Sequence, residues 1–159
     1  MKRRDFLSVS AAMGSVCVLP LAQAHHGWSS FDQDRPIYLE GKVVKVAWQN
    51  PHVELDLEVS PLTRVPPDLV QRSVPAQTAP VDGKALYARA VLPNRKDKVW
   101  ELELAPLTRM QAWNIAQIKP GAAVSVVGFT LTAEKGEAVV RVEYLFVDGK
   151  AYGLRSGPA

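Results

Sequence analysis

Apolar and polar side chains alternate with a period of two along much of this chain, which is the signature of half-buried β-strands. The alternation is cleanest where Val53, Leu55, Leu57 and Val59 point one way and Glu54, Asp56 and Glu58 the other. Lys98 to Leu104 repeats it, with Trp100, Leu102 and Leu104 set against Glu101 and Glu103. Upstream, Ile37 to Trp48 reads as a first strand because Val43, Val44 and Val46 are β-branched, and Gly41 allows a bend or bulge. It ends at Gln49-Asn50-Pro51, where proline stops a ladder and a tight turn is expected before His52 opens the second strand. In Ala123 to Leu131 the apolar phase slips by one beside Gly128, which predicts a bulge there. After a hairpin loop at 133–137, Val139 to Val147 is the closing strand, with Val140, Val142, Tyr144 and Phe146 on one side. Asp148-Gly149 makes another turn, and Arg155 to Ala159 is expected to fray.

Two stretches break the period. From Ser60 to Gly83 five of the twelve prolines interrupt any pattern, which predicts a mobile surface excursion followed by a weaker strand at Lys84 to Leu92. Between Ala105 and Ile118, Leu107, Met110 and Trp113 recur at helical spacing after Pro106, and Lys119-Pro120-Gly121 ends the segment. The expected class is therefore mainly β. The order fits a small OB-like barrel of five to six antiparallel strands with one short helix, at 106–118, between the third and fourth. A β-sandwich that uses Lys84 to Leu92 in full is the alternative.

The first residues change the picture of composition. Arg3-Arg4-Asp5-Phe6-Leu7 precedes an apolar run from Val9 to Leu21 that is short for a membrane span, and Ala22 and Ala24 supply a small-x-small cleavage pattern. The reading is a twin-arginine-type signal peptide at 1–24 and a periplasmic destination. A 25–36 arm follows, with Trp28 and Phe31 as anchors, and then one β domain at 37–154 carrying the insertion at 60–83. Cutting after Ala24 takes the charged residues from 19 basic and 16 acidic to 16 and 15. That balance leaves no footprint for nucleic acid. Membrane insertion after processing is not expected. Cys17, the single cysteine, falls inside the signal, so thiolate sites and disulfides are excluded from the mature chain.

His25, His26 and His52 are the three histidines, and each sits in a local motif. Ala24-His25-His26, Phe31-Asp32, Gly41-x-Val43, Trp48-x-Asn50-Pro51-His52, and later Trp113 with Lys119-Pro120-Gly121, together resemble an uncharacterised family of short exported bacterial proteins. The resemblance runs over nearly all of residues 22–150, most specifically at Trp48-x-Asn50-Pro51-His52. The insertion between Ser60 and Gly83 departs from it. The resemblance implies no reaction, so the chemistry rests on the residues.

A histidine at a mature N-terminus can chelate a metal through its amine and its own Nδ1, and a further imidazole completes a set suited to copper. The further nitrogen is His52 or His26. Asp32 could serve as an axial or outer carboxylate, Asn50 could orient an imidazole, and Trp28 and Trp48 could line a ligand groove. The bland readings compete. Paired histidines at a terminus often only face solvent, Met110 at helical spacing is a core residue, and the acids of the second and third strands read as a solvated face. The expected function is that of a copper or other transition-metal carrier or accessory protein rather than a catalyst, with a periplasmic protein partner conceivable. The alternative is a metal-free binding module that holds a small molecule or partner protein with its aromatics.

Overall fold

The computed structural model describes residues 27–159; the expected signal, His25 and His26 lie outside them. Six strands form one sheet in the order β3-β2-β1-β4-β5-β6: β1 Ile37–Ala47, β2 Glu54–Val59, β3 Val99–Glu103, β4 Ala123–Thr130, β5 Val139–Val147 and β6 Lys150–Gly153. A pairing of β3 with β5 closes the first five into a barrel, and β6 extends it beyond β5. This is the OB-like order. The closing pair, Glu101 to Val139 through Glu103 to Arg141, is parallel, so the barrel is mixed rather than wholly antiparallel.

The interior is filled from alternate positions of each strand, among them Ile37, Leu39, Leu55, Leu57, Trp100, Leu102, Val126, Val140 and Leu145. Helix α2, Leu107–Ala112, closes one end with Met110 buried. It is shorter than the expected 106–118. Trp113 ends it, Asn114 turns with a positive φ of 52°, and Ile115 and Ile118 plug the barrel from irregular backbone.

The 60–92 region overturns two expectations. Lys84 to Leu92 is not a strand: helix α1 spans Gly83–Arg89, with the Asp82 carboxylate capping it by accepting from Ala85 N–H at 2.9 Å. Lys84-Ala85-Leu86-Tyr87-Ala88-Arg89 is rich in helix formers, and a run this short has no period that separates helix from strand. The sandwich alternative, which needs that strand, is excluded. Nor is the proline-rich insertion a loose excursion. Leu69, Val65, Val74, Val81, Leu86 and Tyr87 pack on Tyr38, Val127, Phe129 and Tyr144 in a second apolar cluster outside the barrel.

That second cluster explains the phase slip. Val124 and Val126 face the interior, while Val127 and Phe129 face the outer cluster, so β4 is buried on both sides and needs no slip of its own. The extra residue is on the partner: Gly128 pairs Val142 and Val127 pairs Tyr144, leaving Glu143 of β5 as the bulged residue. Tyr144 and Phe146 consequently belong to the outer cluster and not to the face of Val140 and Val142. A Cβ at Gly128 would lie 2.4 Å from the Arg141 carbonyl oxygen, which is why this crossing holds glycine. The first strand has its bulge at Val44, between the pairs Val43–Leu57 and Lys45–Asp56, rather than at Gly41, which admits the Glu58 carbonyl.

The C-terminal residues are tied down. Thr78 N–H donates to Gly157, Ala159 N–H to Ala76, and Trp113 Nε1 to the Ser156 carbonyl. Among the described residues no helix is long and apolar enough to cross a membrane.

Candidate functional site

On the outer surface of the barrel, register alone builds a row of functional side chains. Glu103 pairs Glu54 of β2 on one side and Arg141 of β5 on the other, and Arg141 pairs Phe129 of β4. His52 stands just before β2, on the same side as Glu54, because Val53 exchanges backbone hydrogen bonds with Leu104 and Ala105 and points inward. Arg141 Nη2 lies 2.8 Å from Glu103 Oε1, His52 Nδ1 lies 3.3 Å from the same oxygen, and Arg141 Nη1 lies 3.3 Å from His52 Nε2. Glu103 and Arg141 are buried; the His52 side chain keeps 20% of its surface.

The chemistry of these partners constrains the imidazole. A guanidinium has only donors, so the Nε2 that faces it presents its lone pair, and the proton of neutral His52 is on Nδ1, toward Glu103. A carboxylate at Nδ1 with Nε2 as the basic nitrogen is the arrangement that orients metal-binding histidines. Burial lowers the Arg141 pKa, and the Glu103 carboxylate opposes that effect. The guanidinium stays charged at neutral pH.

The N-terminal segment roofs this row. Residues Trp28–Ser30 form one 3₁₀ turn, and Phe31 makes a bridge to Leu131. Trp28 packs edge-on against Phe129, and the carbon at the centre of the Arg141 guanidinium is 5.3 Å from its ring centroid and 5.4 Å from that of Phe31. A second buried acid lies beside it. Glu143, the bulged residue, is fully buried; its Oε2 accepts from Arg155 Nε at 2.7 Å and its Oε1 from Gln77 at 3.1 Å. The Arg155 guanidinium also lies 3.7 Å over Trp28 and donates to Gln33 at 2.9 Å. One arginine therefore joins the C-terminal tail, the β5 bulge and the N-terminal arm.

The other expected site residues sit as follows. The Asp32 carboxylate accepts from Asp34 N–H in its own turn, at 3.2 Å. The Asn50 oxygen accepts from Leu107 N–H at the start of α2, at 3.1 Å, and the Asn50–Pro51 peptide is cis. Trp48 packs against the barrel core, part-buried. Trp28 and His52 are joined through Arg141; His25 and His26 precede the described residues.

Residues 13–63 match the model of DUF6152, a family of unknown function. No curated protein and no solved structure matches the chain significantly. The DUF6152 match supports an uncharacterised domain family and carries no activity with it. The matched segment contains His25, His26, Trp28 and His52, whereas Glu103, Arg141, Glu143 and Arg155 all lie beyond it.

Those four were missed in the sequence. Glu103 read as part of a solvated face, yet it is 4% exposed. Its neighbours are more open, and they form an acidic field: burial and the charges of Glu54, Asp56, Glu137 and Glu103 all raise the Glu101 pKa. An acid whose folded pKa is raised binds its proton more tightly when folded, so stability falls as pH rises from its unfolded value toward the folded one. Glu101→Gln is expected to stabilise the protein by about 0.5 kcal/mol at pH 7, the scale of a cross-strand like-charge pair. Little gain should remain at pH 4, and unfolding curves at the two pH values check this.

Proposed function

We propose that this chain is exported to the periplasm by a twin-arginine-type leader and binds copper, or another transition metal, through its processed N-terminal histidine. It would act as a carrier or accessory protein. The ligands are the His25 amine and imidazole with His52 or His26, and His52 is the one held by the barrel. The observation that supports this is the short path from Trp28 to His52. Trp28 stacks on Arg141, and Arg141 Nη1 is 3.3 Å from His52 Nε2. Two residues of chain span at most about 7 Å and three about 10 Å, which bounds how far His26 and His25 can lie from Trp28.

The donor set fits such an ion only with the N-terminus included. Among the described residues no three His, Cys, Asp or Glu side chains group to hold a metal. Glu103 at Nδ1 suits His52 to coordinate through Nε2, provided Arg141 moves aside. A bound ion would give the protein a tightly held, exchangeable cargo.

Copper titration of the exported, processed protein, followed by electron paramagnetic resonance, tests the reading. Nitrogen coupling is expected, lost in His25→Ala. Binding no tighter than to a scrambled N-terminal peptide would end the metal proposal, and intact mass first establishes whether His25 is the terminal residue. The second reading is a metal-free module for a small molecule or partner protein. It draws on Trp28 and Trp48, which both keep part of their surface in solvent.

A further inference from the structure

One hollow with apolar walls lies at the end of the barrel where β2 runs out and β3 begins, and His52, Glu103 and Arg141 are not among the residues that line it. It encloses about 640 Å³, within the range of small-molecule sites. Val59, Leu92, Pro93 and Trp100 give it apolar walls, and Lys42, Lys96 and Lys98 stand at its rim. Of its two acids, Asp97 is already neutralised by Arg95, which reaches both carboxylate oxygens at 2.6 and 3.0 Å, leaving Glu58 against three lysines.

The walls are built rather than floppy. Arg95 also donates to the carbonyls of Glu134, Gly136 and Glu137 and lies 5.5 Å over the Trp100 ring. The Glu134 carboxylate accepts from Asn94 and Arg95 N–H and pairs with Arg35. Burial works against its charged form, but these donors outweigh it and hold its pKa below the usual value. On the opposite wall the Ser60–Thr63 turn is pinned by Thr63 Oγ1 donating to Glu40 and Ser60 carbonyls. Apolar walls and a cationic rim suit one chemistry.

We propose that this cleft binds a small organic anion with an apolar body, its carboxylate or sulfonate at the lysines and its body against Val59, Leu92, Pro93 and Trp100. The site is independent of any metal at the N-terminus. Calorimetric titration of the processed protein with octanoate, octanol and octylamine tests it. Octanoate is expected to bind at least about tenfold more tightly than either, since only the anion gains from the rim. The double variant Lys42→Glu/Lys98→Glu should weaken octanoate by about tenfold or more and leave octanol unchanged. Val59→Trp should fill the cleft and remove binding, with the lysine variant deciding the matter if that protein does not fold. Equal affinity for octanoate and octylamine, or octanoate binding indifferent to the lysine changes, would overturn the proposal.

Discussion

Arg155→Ala is expected to lower the free energy of unfolding by about 3 kcal/mol, near the low end for removing one partner of a buried ion pair. The reason is what it leaves behind. Glu143 is fully buried, and without Arg155 its carboxylate retains Gln77 as its one remaining side-chain hydrogen-bond donor among those described. Trp28 loses the guanidinium that covers it, and Gln33 loses its donor, so the N-terminal arm loosens with the tail. With a urea slope of roughly 1–3 kcal/mol/M, the midpoint should fall by about 1–3 M. Glu143→Gln keeps a polar group for both neighbours and should cost clearly less. An Arg155→Ala midpoint within about 0.3 M of wild type would show that the pair is not what holds these three segments together.

The second large effect is on copper, and it has two signs. His52→Ala should weaken binding by at least about a hundredfold, or roughly 2.7 kcal/mol, if the barrel imidazole is a ligand. The double change Glu103→Gln/Arg141→Met should strengthen it. Arg141 holds a positive charge 3.3 Å from the nitrogen that would coordinate, and a cation beside a cation is worth several kcal/mol even at an effective dielectric of about 20. Removing acid and base together leaves neither charge orphaned in a buried place, and a carboxamide can still accept from Nδ1. A gain of about tenfold or more is expected by competition titration against a chelator of known affinity. If His52→Ala changes nothing while His25→Ala abolishes binding, the ion is held by the N-terminal residues alone.

Much of the barrel was legible because its strands have one wet face. Val53 to Val59 and Lys98 to Leu104 alternate strictly, and their register follows from that alternation. The helix between the third and fourth strands announced itself by Leu107, Met110 and Trp113. Illegible were the places where both faces are buried. In β4 and β5 a continuous apolar run hides which residues look inward, so the register break beside Gly128 could be read but not that its extra residue, Glu143, belongs to β5. The same burial turned Glu103 from an apparent surface charge into the enclosed partner of Arg141, because only the fold brings Arg141 beside it and Trp28 and Phe31 over Arg141. His52 could be picked out by its rigid corner, but its partners come from residues 51 and 89 positions further along the chain.

Taken alone, the order of residues determined the five strands of the barrel, the site of the helix between the third and fourth, and the three histidines, since each depends on local period or on composition. What covers the barrel was decided in three dimensions. A proline-rich insertion with no period folds onto the outer sheet, and the chain's described ends meet there through Arg155, because buried apolar area and paired charge are properties of surfaces that only assemble once distant segments touch.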